Sequence, residues 1–151
     1  MRGGKRLGFF RLRRGMTQRE LGERAGFPPA SAGVRVAQYE TGWRTPKPEL
    51  RNRFADVLDV SADALEIPDL DTPAGVMHTL FALEDLYGFQ VAETGEGVIL
   101  RLQTPSCPEK IQSALAAWAR LRTERDAGQR AEEEYDQWRW RFASDVEGGG
   151  T

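Results

Sequence analysis

Thr17-Gln18-Arg19-Glu20-Leu21-Gly22-Glu23-Arg24-Ala25-Gly26, followed at a distance by Ala37-Gln38-Tyr39-Glu40-Thr41-Gly42, decides how this chain folds. Thr17 with Glu20 three residues on is a capping box, in which each side chain satisfies an amide left free at a helix start. Leu21 is the inward position of that helix. Gly22 is small where a following helix has to cross closely, and Gly26 supplies the turn. In the second segment Val36 and Tyr39 are three apart and aim at a core, while Gly42 stops the helix. The pattern describes two short helices set at a steep angle by a tight turn.

The neighbouring residues extend this pair into a complete unit. Arg2 to Arg14 reads as a first helix, with Leu7 and Phe10 on one face and Gly15 ending it. Pro28-Pro29 blocks helix until about Ala30, so the second helix of the pair is expected over Ser31 to Tyr39 after a lengthened turn. That register leaves Gly33, Val34, Arg35 and Gln38 partly or wholly outward. Pro46 and Pro48 punctuate the next loop. Pro48 to Leu58 gives a fourth helix with Leu50, Phe54, Val57 and Leu58 on its stripe, and Ser61 caps a short fifth over Ser61 to Leu65. Five short helices around one core account for residues 1–67.

Arg13-Arg14-Gly15-Met16-Thr17-Gln18-Arg19-Glu20-Leu21, Tyr39-Glu40-Thr41-Gly42 and the following Pro46 resemble the helix-turn-helix domain of the phage repressor and Cro-like (XRE) family. The match covers about Leu7 to Leu65, with a longer spacing between Gly26 and Tyr39 than is usual there. The resemblance implies sequence-specific binding of duplex DNA, usually as a dimer on a two-fold operator, to regulate transcription. It also implies that Gln18 contacts a phosphate or a base edge, that Gln38 reads base edges, and that Arg11 and Glu40 form a partly buried ion pair.

Charge points the same way. The net charge is -2, but it is unevenly distributed. Met1 to Arg53 holds 13 basic and 4 acidic residues, a net of +9, and Phe54 to Thr151 holds 8 and 19, a net of -11. Such asymmetry marks a polyanion-binding part joined to one that is not. Arg35, Arg44 and Lys47 flank the second helix of the pair and are expected at DNA phosphates, with Arg13 and Arg14 contributing from the first helix and the amides after Thr17 offering a further phosphate site. Gln38 suits a bidentate bond to adenine, and Val34 a thymine methyl.

The acidic half reads as a separate module. Residues 68–75 form a linker, and residues 76–143 a helix, a β-hairpin and two further helices. Val76, Leu80, Leu83 and Tyr87 share a helical face ended by Gly88. Phe89 to Glu93 and Val98 to Leu102 flank a turn of four residues, Thr94 to Gly97. Pro108 to Arg125 aligns Ile111, Leu115, Trp118 and Leu121, and Ala131 to Phe142 aligns Tyr135, Trp138 and Phe142. The tail, 144–151, is expected to be disordered. The fold class is mainly α: a five-helix helix-turn-helix domain followed by a small helix–hairpin–helix–helix module.

Nothing in the composition calls for catalysis. His78 is the lone histidine and lies in an apolar helical run, Cys107 is the lone cysteine, and no metal-ligand spacing surrounds either. Glu132-Glu133-Glu134 reads as a solvated helix face. No run approaches the roughly 18–20 apolar residues of a membrane span, so an intracellular, cytoplasmic protein without cofactor or metal is expected. The leading expectation is a transcriptional regulator, a repressor acting as a homodimer on double-stranded DNA. The acidic module would then serve dimerisation or docking of a protein partner. The alternative from the same residues is an antitoxin-type interaction protein that binds a partner through its acidic half and autoregulates through the same domain.

Overall fold

Ten elements follow one another in the computed structural model, which describes residues 4–66, 68, 70–102 and 107–142. They are α1 (Gly4–Arg13), α2 (Gln18–Arg24), α3 (Pro29–Glu40), α4 (Pro48–Leu58), a short 3₁₀ helix (Ala62–Leu65), α5 (Pro73–Tyr87), β1 (Phe89–Thr94), β2 (Gly97–Leu102), α6 (Glu109–Asp126) and α7 (Glu132–Arg141). The chain is mainly helical with one small antiparallel hairpin, the class expected from its sequence. It divides into two compact units. The first is Met1–Asp69 with Asp136–Thr151, and the second is Leu70–Tyr135. The expected module over 76–143 therefore differs from the observed division, because the last turns of α7 group with the first unit. The expected disordered tail lies outside the described residues.

In the first unit the capping box forms. Thr17 Oγ1 accepts from the Glu20 amide at 3.1 Å while a Glu20 carboxylate oxygen accepts from the Thr17 amide at 2.7 Å. Leu7, Phe10, Leu21, Val36, Leu50, Phe54 and Leu58 make the core. Gly22 shows why a side chain is excluded where α2 meets α3. A Cβ there would lie 2.7 Å from the Ala32 carbonyl oxygen and 2.8 Å from the Ala32 Cβ. This backbone-level contact fixes the steep angle between the two helices.

The double proline starts α3 instead of delaying it. Pro29 is the first helical residue, with Pro28 as N-cap, so α3 begins two residues before the expected Ser31. A proline at the first helical position gives up an amide that has no intrahelical partner anyway, and its fixed φ suits the helix. The extra residues relative to the usual spacing thus lengthen α3, and Ala32 joins Val36 as a fully buried position on it.

The first unit also contains the end of α7. The Trp140 ring meets Phe10 edge-on with centroids 5.6 Å apart, and the Ser61 amide donates to the Trp140 carbonyl at 2.8 Å. Arg141 pairs with Asp59, and the buried Asp136 pairs with Arg139 and lies 3.7 Å from Arg13.

In the second unit, Thr72 caps α5, which starts at Pro73 and so shortens the expected linker. Gly88, at φ 69°, ends α5 and leads into β1. The hairpin ladder runs from Phe89↔Leu102 to Thr94↔Gly97. Only Gly95 and Glu96 are left between the strands, so the turn has two residues and not four. Trp118 of α6 donates its indole N–H to the Tyr135 hydroxyl at 2.8 Å, and the Arg125 guanidinium lies 4.4 Å from the Tyr135 ring centre.

Candidate nucleic-acid interface

The outer face of α3 is where the sequence expected it. Val34 is 64% exposed, Arg35 is exposed, and Gly33 and Gln38 are half-buried. Gly33 faces α2: a Cβ built on it would lie 3.7 Å from that of Arg19. The Arg35 guanidinium sits 5.3 Å from the Phe27 ring centre, which restrains the side chain without using up its charge.

Glu40 organises the junction between α1, α2 and α3. Arg11 donates through Nε to Glu40 Oε1 at 2.6 Å and through Nη2 to Oε2 at 3.0 Å, a bidentate arrangement with both side chains nearly buried. The third donor is Gln18, whose amide reaches Glu40 Oε2 at 2.8 Å. Arg11 also donates to the Met16 carbonyl at 2.8 Å. Hydrogen bonding to Glu40 raises the Arg11 pKa further, against desolvation, so the guanidinium is fixed as a cation. The structure therefore brings Arg11, Glu40 and Gln18 together. Gln18 is turned toward this network at the start of α2.

The amides after Thr17 are less open than the helix start alone implies. The Glu20 carboxylate accepts from both the amide and the hydroxyl of Thr17, so an anion of the chain itself already sits beside this helix end. The carboxyl is held below its usual range, chiefly by the Thr17 amide and then by the Thr17 hydroxyl.

Arg44 and Lys47 lie in the loop between α3 and α4. With Tyr39, Thr45, Glu49, Leu50 and Arg53 they line a recess of about 420 Å³ at the start of α4. Three cations there face one carboxylate. Lys47 is the N-cap of α4 and gives it no side-chain hydrogen bond, and Pro48 follows at the first helical position. The positive end of the helix dipole thus adds to the same recess. Trp43 is 72% exposed in this loop, with the Arg44 guanidinium 5.5 Å from its ring centre. Sequence reasoning overlooked Trp43. A single aromatic between Gly42 and Arg44 belongs to no periodic stripe, and its position among cations outside any helix was the available signal.

Arg13 and Arg14 are placed differently. Arg14 donates to the Leu58 carbonyl at 2.8 Å and to Asp59, and its guanidinium lies 5.9 Å from the Trp140 ring centre. Arg13 stacks on Phe9 and Trp140 and faces Asp136. Both cations hold the end of α7 and the end of α4 to α1. Arg11, Arg13 and Arg14 each have a carboxylate partner within the fold, whereas none of Arg35, Arg44 and Lys47 has one among the described residues.

Comparison with known proteins locates the same segment. Residues 4–66 match the family described as "Helix-turn-helix domain". This segment is a helix-turn-helix domain. A solved structure, the crystal structure of transcriptional regulator BswR, is similar to the chain at 29% identity, covering 55% of this chain and 93% of that one, with a TM-score of 0.42. A search of curated proteins finds no match. Among the described residues no helix is long and apolar enough to cross a membrane, and no group of three or more His, Cys, Asp or Glu is placed to hold a metal ion.

Proposed function

We propose that the helix-turn-helix domain reads double-stranded DNA by sequence, with α3 in the major groove, and that the protein acts as a dimeric transcriptional repressor of the XRE type. The observation that carries this reading is the segregation of charge state on the domain. Arg11, Arg13 and Arg14 face Glu40, Asp136 and Asp59, while the cations around α3 and the α3–α4 loop are left for an external anion. A duplex supplies that anion as phosphates flanking a groove wide enough for a helix. In this arrangement Val34 and Gln38 meet base edges, and Arg35, Arg44 and Lys47 meet phosphates. Trp43 packs on the sugar–phosphate backbone beside Arg44. Gln18 contributes by orienting Glu40 and through the side of its amide that remains open.

A dimer fits this chemistry because one short recognition helix reads few base pairs, and a linked second copy multiplies affinity without new kinds of contact. The test is selection of bound fragments from a random duplex pool with the full chain. A recovered two-fold symmetric sequence supports both recognition and dimerisation. Recovery of no preferred sequence in dilute salt overturns the reading.

A further inference from the structure

The start of α3, Pro29-Ala30-Ser31-Ala32-Gly33-Val34, holds none of the charged or amide side chains that pair with base edges: no Arg, Lys, Asn, Gln, Asp or Glu. In a helix-turn-helix domain the N-terminal residues of this helix are the ones that reach the bases. Ala32 is buried, and Ser31 is half-buried with its hydroxyl donating back to the Pro28 carbonyl at 3.4 Å. Arg35 leaves the stripe, about 100° round the helix from Val34. Its guanidinium lies 5.3 Å from the Phe27 ring centre. What remains outward is hydrocarbon. Ala30 and Val34 are one turn apart on the same face, continued by Ala37 and Gln38, and Val34 is 64% exposed at its middle. Thr41, next along, donates its hydroxyl back to the Ala37 carbonyl at 2.9 Å. Gln38 is thus the lone amide on a face otherwise made of methyl groups.

We infer that α3 selects its site through the C5-methyl groups of pyrimidines, with Val34 as the side chain that packs against them. This rests on the proposed reading that α3 enters the major groove, and it narrows that reading from duplex DNA to one chemical feature of it. Thymine presents its methyl in the major groove. 5-Methylcytosine presents the same group from the same ring position, whereas cytosine and uracil do not. Small neighbours set the distance: Ala30, Gly33 and Ala37 extend at most one carbon from the backbone, so the helix can approach closely enough for the Val34 methyls to touch a base edge. The contact is apolar burial. Removing one methyl should therefore cost about fourfold in affinity, from ~0.8 kcal/mol per buried CH₂-sized group at about 1.4 kcal/mol per tenfold. Gln38 bonded to adenine and Val34 against a thymine methyl both favour A·T pairs, but the methyl contact alone extends to methylated C·G pairs.

The test is titration of the full chain against the duplex recovered by selection, with each thymine replaced in turn by deoxyuridine. That change deletes the methyl and keeps every hydrogen-bonding group of the pair. At one thymine or more the expected loss is about fourfold, absent in Val34→Ala and retained in Gln38→Ala. A C·G pair placed at that position should bind more weakly, and methylating its cytosine at C5 should recover about the same fourfold. The uracil and 5-methylcytosine arms use the wild-type chain and so do not depend on how any variant folds. No loss at any thymine, a loss that Val34→Ala still shows, or no recovery on methylation overturns the inference. The two readings fail differently. A preferred duplex that is indifferent to deoxyuridine leaves sequence-specific binding standing and removes only the methyl contact, whereas a selection that returns no preferred duplex overturns both.

Discussion

Two side chains carry separable loads at the residue scale. Gln38 is half-buried on α3, and the proposed reading gives its amide a bidentate pair with adenine. Gln38→Ala should weaken binding to the selected site by about 1–3 kcal/mol while leaving binding to random duplex nearly unchanged, measured by titration against both at one salt concentration. Equal weakening on both duplexes would assign Gln38 to the backbone instead. Glu20 has a structural load. Its carboxyl is depressed below the ordinary range by the Thr17 amide and hydroxyl, so the ionised form is favoured by folding. That contribution is complete above the unfolded carboxyl pKa and is lost as pH falls through the folded one. Glu20→Gln should therefore be less stable than wild type at pH 7, with the difference shrinking as pH falls through the acid range. Urea unfolding at pH 7 and at acid pH measures it. A difference that grows on acidification would contradict the capping-box account.

The element scale shows what the sequence made legible. The capping box, Gly22 at the helix crossing, Val36 inward and Gly42 ending α3 were readable because each rests on contacts between near neighbours. The start of α3 is not legible from Pro28-Pro29, because a proline that breaks a helix interior fits its first turn without cost. The hairpin turn came out too long because Thr94 and Gly97 pair across the strands despite their turn-like character. The placement of α7 was not legible at all. Trp138 and Phe142 share one side of that helix, but nothing local indicates that Trp140 finds Phe10, well over a hundred positions earlier in the chain. Such a contact has no periodic signature. It does have a measurable consequence: Trp140→Ala should destabilise the helix-turn-helix unit by about 2 kcal/mol, below the 3–5 typical of a fully buried aromatic because Trp140 is half-buried. Thermal unfolding would register the change, and DNA affinity well below the midpoint should be unaltered. An unchanged midpoint would mean that the end of α7 does not support the unit.

At the scale of the whole molecule, the division of charge should govern how binding responds to salt. A net of +9 up to Arg53 and -11 beyond it makes the total charge uninformative, so what matters is which cations are free. Arg13, Arg44 and Lys47 each contribute one positive charge, and a purely global account treats their removal alike. The structure separates them. Arg13 faces Asp136 and stacks on Trp140, whereas Arg44 and Lys47 line the recess at the start of α4 with no carboxylate partner among the described residues. A cation that neutralises a phosphate releases counterions, and the slope of log K against log salt falls by about 0.9 for every phosphate left without its cation. Arg44→Ala and Lys47→Ala should each flatten that slope by about one unit on specific and random duplex alike. Arg13→Ala should leave the slope where it was and appear instead as reduced stability, because its removal strips Asp136 and Trp140 of a partner. Titrations at four or more salt concentrations, run well below the unfolding temperature of each variant, measure the three slopes. Parallel flattening by all three would return the phosphate contacts to α1, and the interface centred on α3 and its following loop would have to be redrawn.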